Sequence, residues 1–283
     1  MFTNNGSTLQ TDITTFGVNM KLAHLGRQAL MGVMAVALVA GMSVKSFADE
    51  GLLNKVKERG TLLVGLEGTY PPFSFQGDDG KLTGFEVELA RDTAKRMGLK
   101  PKFVTTGWDS LIAGLGSNQY DVIFNDMWVN PARKKQFRYA TPYIYSKSVL
   151  ISKPGLKMSN LKGKTIAAGT GTENWTTAEK LGAKVVAAPD FQTDMDMINQ
   201  GRADGAVNSE AAFNYWKKSH KDTDLTYQVI PYKYIKIEPI APMLNKKSTK
   251  LTKEMNKALK AEQKDGTIKK LSLKYFGKDL MHE

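Results

Sequence analysis

Short apolar stretches alternate with stretches of helical spacing along the chain after residue 49. Residues 61–67 ("TLLVGLE"), 102–106 and 121–124 ("DVIF") have the pattern of buried strands. Between the first two, apolar residues recur at helical spacing from Phe85 to Met97, and a glycine follows. This alternation of strands and helices predicts an α/β fold on a mainly parallel sheet.

The same alternation begins again at residues 148–152 and builds a second set of strands and helices. Extended segments near 141–147 and 235–241 flank this second unit, which predicts two chain crossings between two lobes. Lobes that close on each other can surround a small molecule, so we expect a ligand cleft at the crossings. The predicted lobes are residues 49–142 with 241–283, and residues 143–240.

The N-terminal segment has the features of a secretory signal peptide. Lys21 and Arg27 precede the apolar run 29–42, and small residues at positions 46 and 48 mark a cleavage site. The run is shorter than the roughly 20 residues that cross a bilayer as a helix. We therefore expect residues 1–48 to be an N-terminal extension with a cleaved signal peptide, the alternative being an uncleaved anchor.

The formal net charge is +12, and many of the lysines lie after residue 246 on predicted helices. Exposed helical lysines usually keep a protein soluble, and no nucleic-acid motif accompanies them, so we expect no nucleic-acid partner. The chain contains no cysteine. Disulfides and a lipid anchor on an N-terminal cysteine are thereby excluded. A soluble, monomeric protein of the bacterial periplasm is the expectation.

Few residues of this chain suit catalysis. The histidines are His24, His220 and His282, and they have neither metal-ligand spacing nor a plausible serine partner. Enzymatic chemistry would have to rest on carboxylates or lysines. We therefore expect no catalytic residues, no metal and no cofactor.

Arg133 is the strongest candidate for binding an anion. Asn130 and Pro131 have the pattern of a helix cap and first helical residue, placing Arg133 in the first turn after strand 121–124. Ligands of open α/β sheets bind at the carboxyl ends of strands, and guanidinium holds a carboxylate through two hydrogen bonds. We expect Arg133 to bind a carboxylate, and Lys134, Lys135 and Arg138 to face solvent.

Two further features lie at predicted strand ends. The turn "GTGTE" (169–173) opens a helix whose first N–H groups could meet an anion, although Thr172 could serve only as its cap. Tyr70 and Trp108 follow the first two predicted strands. Such aromatic residues are often core residues, but at one sheet edge they could form apolar walls of a ligand site.

Several motifs together resemble the polar amino-acid-binding proteins of ABC importers, which are two-lobed periplasmic binding proteins of type II. The resemblance spans residues 52–280 and looks closest to the cystine-binding branch. The motifs are "GTYPPFSFQGDDGKLTGFEVELA", "WDSLIAGLGSNQYDVIFNDMWVNPARKKQFRYATPY", "LKGKTIAAGTGT", "GRADGAV" and "DGTIKKLSLKYFGKDL".

The resemblance implies a role for each matching position. Arg133 and Thr172 match the groups that meet the ligand α-carboxylate from the two lobes. Tyr70 and Trp108 match the walls against the ligand side chain. Two further cleft positions are also implied, a frequently acidic one at Glu67 and a strand-end one at Asn125.

Three departures from the family pattern affect the expected ligand. Trp128 replaces a small hydroxyl residue, and Asp126 occupies a usually neutral position. Ser209 stands where relatives carry the aspartate that pairs with the α-ammonium group. Since a buried ammonium without a carboxylate is costly, Asp126, Glu173 or Glu210 replaces the charge, or the ligand is unusual.

The expected function is capture of cystine or another polar, zwitterionic amino acid and its delivery to an inner-membrane ABC permease. One alternative is an enzyme that resembles periplasmic cyclohexadienyl dehydratases, in which Glu173 or Glu210 would act as a general acid. Another is a membrane-tethered sensor, which requires the run 29–42 to stay attached. The sequence leaves the identity and stereochemistry of the ligand open.

Overall fold

The computed structural model describes residues 52–236 and 239–282. The expected signal peptide lies outside these residues. Helices α1 to α9 cover 52–59, Phe85–Arg96, Trp108–Gly116, Pro131–Gln136, Glu173–Lys180, Phe191–Asn199, Glu210–Ser219, Thr249–Lys264 and Thr267–Phe276, with a 3-10 turn at Met158–Asn160.

Strands β1 to β14 are mostly short. They cover Thr61–Leu66, Phe75–Gln76, Leu82–Thr83, Lys100–Thr105, Val122–Ile123, Phe137–Tyr139, Ile144–Tyr145, Ser148–Ser152, Thr165–Ala168, Lys184–Ala187, Gly205–Ser209, Thr226–Val229, Pro239–Ile240 and Met243–Asn245. The strand predicted at 121–124 is confined to its two central residues, and Asp121 and Phe124 extend its contact with β1 through further hydrogen bonds.

Two five-stranded sheets confirm the predicted α/β fold. The first has the order β4-β1-β5-β14-β6, and β1 is parallel to both of its neighbours. The second has the order β10-β9-β11-β8-β12, with β9, β10 and β11 parallel and β8 antiparallel to its neighbours. In both sheets the parallel strands occupy one side, so their carboxyl ends form a common edge where loops can converge.

The chain crosses between the two sheets at a small antiparallel pair. β7 (Ile144–Tyr145) pairs with β13 (Pro239–Ile240), inside the two extended segments that the sequence indicated. All strands of the second sheet lie between the two crossings in the chain, whereas those of the first sheet precede β7 or, in the case of β14, follow β13. The exact lobe boundaries at 142/143 and 240/241 stay a prediction.

Helix α2 shows why the sequence pattern folds as expected. Phe85, Leu89, Ala90 and Ala94 are fully buried, so the apolar stripe faces the core. The Phe85 ring packs on Phe276 of α9 with centroids 4.9 Å apart. A helix that buries one stripe gains most of its stability from this packing rather than from its intrinsic propensity.

Gly65 lets the ring of Tyr120 lie directly on strand β1. A Cβ atom built at Gly65 would lie 2.6 Å from the Tyr120 ring, whereas one built at Gly116 would meet nothing within 4 Å. The fully buried Tyr120 therefore depends on the missing side chain at Gly65.

We expect Gly65→Ala to lower the stability of the protein by about 1–3 kcal/mol, as overpacking of a core usually does. In a thermal melt this corresponds to a fall in Tm of about 2–4 °C for each kcal/mol. Gly116→Ala is the matched control and should leave the Tm unchanged or slightly higher. Equal melting of Gly65→Ala and the wild type would contradict this account of the Tyr120 contact.

Candidate ligand-binding site

One cavity lies where the carboxyl ends of parallel strands from both sheets meet. From the first sheet it receives residues that follow β1, β4 and β5, and from the second sheet residues that follow β9 and β10. The predicted site residues that line it are Glu67, Tyr70, Trp108, Asn125, Asp126, Trp128, Arg133, Thr172 and Glu173.

Ser209 is not among the lining residues of this cavity. It ends strand β11 and is buried, and its Oγ lies 3.4 Å from the Oγ of Ser146. The Ser146 hydroxyl in turn lies 3.5 Å from Oδ2 of Asp126. The Asp126 carboxylate and the Ser209 hydroxyl are therefore separated by one serine side chain. Glu210, which follows Ser209 and was another candidate for the acidic group, accepts hydrogen bonds from Tyr227 and Lys278.

Hydrogen bonds join the two walls of the cavity. Tyr70 Oη donates to Asn208 Oδ1 at 2.8 Å, and Trp108 Nε1 donates to the Thr170 carbonyl at 2.8 Å. Asn130 Nδ2 donates to Glu173 Oε1 at 2.8 Å. The structure thus has the cleft closed, with each wall contributing polar groups to the other.

Arg133 is positioned by the helix that the sequence predicted. Asn130 caps α4 by accepting from the Arg133 N–H at 2.7 Å, and Pro131 is the first helical residue. The guanidinium lies 5.5 Å from the centroid of the Trp108 ring and donates to the Gly171 carbonyl at 3.2 Å. No acidic side chain within 52–236 or 239–282 forms an ion pair with it, so its charge is available to a ligand carboxylate.

The basic neighbours of Arg133 differ in their exposure. Lys134 and Lys135 are exposed, as expected. Arg138 is half-buried in β6, where its Nε lies 3.4 Å from the Lys246 carbonyl. Arg138 is thus less exposed than the two lysines, because strand β14 beside it brings Lys246 within reach, and this contact is itself exposed.

Thr172 is the cap of helix α5. Its Oγ1 accepts from the Trp175 N–H at 3.0 Å and donates to the Gly169 carbonyl at 2.7 Å. Gly171, with φ of +69°, turns the chain into this cap in a conformation that favours glycine. The Thr172 hydroxyl is therefore occupied within the turn, and the helix end contributes mainly its backbone N–H groups to the cavity.

Asp126 lies in the first wall in an unusual backbone conformation. Its φ of +45° is left-handed, which aspartate tolerates better than most residues, and its N–H donates to Glu86 Oε1 at 2.7 Å. Its Oδ1 is buried and has no hydrogen-bond partner among the described residues. Burial, with Glu86 and Glu67 nearby, raises the pKa of Asp126 well above its ordinary value.

Glu67 and Glu86 lie close to Asp126. Glu67 Oε2 accepts from Asn125 Nδ2 at 2.5 Å, and burial raises the pKa of Glu67 to about 7. Glu86 is fully buried behind the cavity and accepts from the Tyr143 hydroxyl, and burial raises its pKa to about 7 as well. Within 52–236 and 239–282, these carboxyl groups have no cationic partner that would hold them ionised.

Several lining residues were missed by the sequence reasoning, namely Asn174, Pro189, Asp190, Phe191, Asp194 and Asn208. Most of them follow strand β10, which ends at Ala187. Ligands of open α/β sheets bind at the carboxyl ends of parallel strands. This rule, applied to β10, indicates the four lining residues that follow it, Pro189, Asp190, Phe191 and Asp194. Asp194 has a pKa raised to about 8 by burial, with a smaller contribution from Asp190.

The architecture and the cleft define the class of this molecule. It is a two-lobed binding protein whose ligand site lies between α/β lobes joined by two chain crossings. Residues 62–278 match bacterial extracellular solute-binding proteins, family 3, and the chain belongs to this family. It is therefore an extracytoplasmic solute-binding protein. No helix among the described residues is long and apolar enough to cross a membrane.

Named relatives agree with this assignment. The chain is 48% identical over 269 residues to the L-cystine-binding protein TcyJ of Escherichia coli K12, covering 92% of this chain and 99% of that protein. It is 33% identical over 273 residues to the L-cystine-binding protein TcyA of Bacillus subtilis 168, covering 90% and 99%.

A solved structure is also similar in fold. It is an ancestral amino acid-binding protein, AncCDT-1, titled a precursor of cyclohexadienyl dehydratase. The TM-score is 0.71 at 29% identity, covering 80% of this chain and 99% of that one. The relative that resembles the enzyme alternative is thus itself titled a binding protein.

We expect the free energy of unfolding of the ligand-free protein to fall as the pH rises from about 4 to about 8. Over this range the unfolded chain releases the Asp194 proton, with a pKa near 3.8, while the folded protein keeps it up to a pKa of about 8. Glu67 and Glu86 act in the same direction with pKa values of about 7.

The measurement is the Tm of wild type and Asp194→Asn across this pH range. The Tm of Asp194→Asn relative to that of the wild type should increase as the pH rises, because the variant lacks one group whose ionisation opposes folding. Asp196→Asn, on the same helix and outside the cavity, is the control and should run parallel to the wild type. A constant difference between Asp194→Asn and wild type would refute the raised pKa.

Proposed function

We propose that this chain captures L-cystine outside the cytoplasm and delivers it to an ABC permease of the inner membrane. The observation that carries the proposal is the charge arrangement of the closed cavity. Arg133 and Asp126 line the same space. Among the residues that the structure describes, the Arg133 guanidinium has no carboxylate partner and Oδ1 of Asp126 is buried without a hydrogen-bond partner. A zwitterionic amino acid supplies both missing charges, and the similarity to the two cystine-binding proteins favours cystine among such ligands.

In this proposal Arg133 holds one α-carboxylate with paired hydrogen bonds, and the N-terminus of α5 approaches the same group from the other wall. Asp126 takes the α-ammonium group, the role that Ser209 cannot fill. The ammonium charge would lower the pKa of Asp126 and draw it into the ionised form. Tyr70, Trp108 and Trp128 form the walls against the ligand side chain, while Glu67 and Asn125 line the floor beside them.

Closure is the step that couples ligand capture to transport. Hydrogen bonds such as that from Trp108 to Thr170 join the walls only in the closed form, and each is worth about 0.5–1.5 kcal/mol net. A ligand that contacts both walls adds its own differential affinity and shifts the population toward closure. The permease would then recognise the closed, loaded protein.

The remaining features of the proposal concern where and how the chain acts. The signal peptide predicted in residues 1–48 is cleaved, the protein carries no lipid anchor, and it works as a periplasmic monomer without cofactor, catalysis or nucleic-acid partner. The intact mass of the exported protein tests the cleavage. A mass that begins at Asp49 supports it, and a retained 29–42 run would favour the membrane-tethered sensor.

We expect L-cystine to raise the Tm of protein freed of bound ligand by unfolding and refolding. A ligand at about 100 times its Kd stabilises by roughly 2.7 kcal/mol. Arg133→Ala should weaken binding at least about 30-fold, because removing one partner of a buried charge pair costs about 2–5 kcal/mol. Lys134→Ala, next to it and exposed, is the matched control. An unchanged Tm of the wild type in the presence of L-cystine would contradict the proposal.

The relocated ammonium partner has a test of its own. We expect Asp126→Asn to weaken cystine binding at least about 10-fold, because a hydrogen bond to a charged group is worth about 1.5–3 kcal/mol. Adding Ser209→Asp to this variant should restore part of the affinity, since the Ser209 hydroxyl is one serine away from the Asp126 carboxylate. Unchanged affinity of Asp126→Asn in titration calorimetry would show that the ammonium binds elsewhere.

A further inference from the structure

Asp194 presents a second carboxylate to the cavity, in the wall opposite Asp126. It lies on helix α6 and is only 1% exposed. Its Oδ2 accepts from Asn208 Nδ2 at 2.6 Å, and its Oδ1 is buried with no hydrogen-bond partner in the described part of the chain. A buried polar atom without a partner is unfavourable and rare, so the free oxygen points to a group that is bound in the working protein.

A purely structural role explains only half of this side chain. Asn208 accepts from Tyr70 Oη and from the Ser209 N–H, so the bond to Oδ2 helps to hold Asn208 in place. The cap of α6 is a different residue, Asp190, whose side chain accepts from the Thr193 N–H at 2.7 Å. Neither capping nor the Asn208 contact uses Oδ1, so these contacts leave one oxygen of a cavity-lining side chain without a role.

The charges around the cavity point to the kind of group that Oδ1 would bind. The acidic lining residues are Glu67, Asp126, Glu173, Asp190 and Asp194, whereas Arg133 is the basic one. Glu173 is bonded to Asn130, Asp190 caps α6, and Asp126 takes the α-ammonium in the proposed function. Among the described residues no group of acidic side chains is arranged to hold a metal ion. An organic cation is therefore the fitting partner.

We propose that Asp194, held by Asn208, is a second ammonium subsite that selects ligands with two amino groups. The inference rests on the proposed function in that the first amino group binds at Asp126. It deepens that function because cystine carries an ammonium group at each end. Dibasic amino acids such as ornithine share this chemistry, whereas a ligand with one amino group leaves Asp194 unpaired.

The test compares two disulfides that differ only at the far end of the molecule. Cystine has a second amino group, and the mixed disulfide of cysteine with 3-sulfanylpropanoic acid lacks it. We expect wild type to prefer cystine by about 10-fold or more in titration calorimetry, the effect of one charge-assisted hydrogen bond. Asp194→Asn should weaken cystine binding by a similar factor and change binding of the mixed disulfide less than about 3-fold.

The control variant is Asp196→Asn, which makes the same change on the same helix outside the cavity and should alter neither affinity. Equal affinity of wild type for both disulfides, or an equal loss of both in Asp194→Asn, would overturn the subsite. An equal loss would assign Asp194 to holding Asn208 instead.

A second readout needs no variant. At pH 7 the free Asp194 side chain holds a proton, since its pKa is about 8, and an ammonium partner would displace that proton. The groups that face it are Asp190, Tyr70 and Asn208, of which Tyr70 keeps its proton at this pH. Calorimetry in buffers of different ionisation enthalpy should show more proton release with cystine than with the mixed disulfide. Equal release would count against the subsite.

Ornithine separates failure of this inference from failure of the proposed function. If wild type ignores cystine but binds ornithine, and Asp194→Asn abolishes that binding, the subsite stands and cystine is not the cargo. If cystine binds and the two disulfides are equivalent, the proposed function stands and the subsite falls. If neither cystine nor ornithine binds, both proposals fall.

Discussion

The burial of carboxyl groups without cationic partners is the constraint on which this cleft depends. Among the described residues, Asp126 and Asp194 each have a buried oxygen with no hydrogen-bond partner, and burial raises the pKa of both carboxyl groups. An ionised carboxylate in such a place is unfavourable, so burial shifts both groups toward the protonated form. In the proposed function, a ligand that brings ammonium groups would supply the missing charges and favour the closed form.

The rest of the fold serves to bring these groups together. Parallel strands in each sheet end at one edge, and the β7–β13 pair joins the sheets so that the two edges face one cavity. Outside the polar contacts, the rings of Phe75 and Tyr215 pack with centroids 5.4 Å apart, and Lys278 pairs with Glu210 at 3.0 Å. Exposed ion pairs are worth about 1 kcal/mol or less and single ring contacts about 0.5–1.5 kcal/mol, so each of these contacts adds only a small stabilisation to the closed arrangement.

In this chain an acidic side chain, Asp126, lies on the first wall close to Ser209 of the second sheet, with Ser146 between them. The family resemblance indicates an aspartate at the end of β11, where this chain has a serine. In the folded protein Asp126 enters the same region from the first sheet, because its left-handed backbone places the carboxylate next to Ser146. In the proposed function the site keeps an acidic group for the ammonium while its direction of approach changes, and a changed direction would alter the ligands that fit.

The sequence by itself determined the α/β class, the two chain crossings, the α4 cap at Asn130 and the placement of Arg133. These follow from periodicity, caps and strand ends, which depend on neighbours along the chain. Only the tertiary structure decided that Asp194 and Asn208 belong to the same cavity as Glu67, and that Ser209 turns toward Ser146 instead. It also decided that Arg138 is half-buried beside β14. These are contacts between residues far apart in the chain, and burial and charge at such contacts are set by packing that no local pattern records.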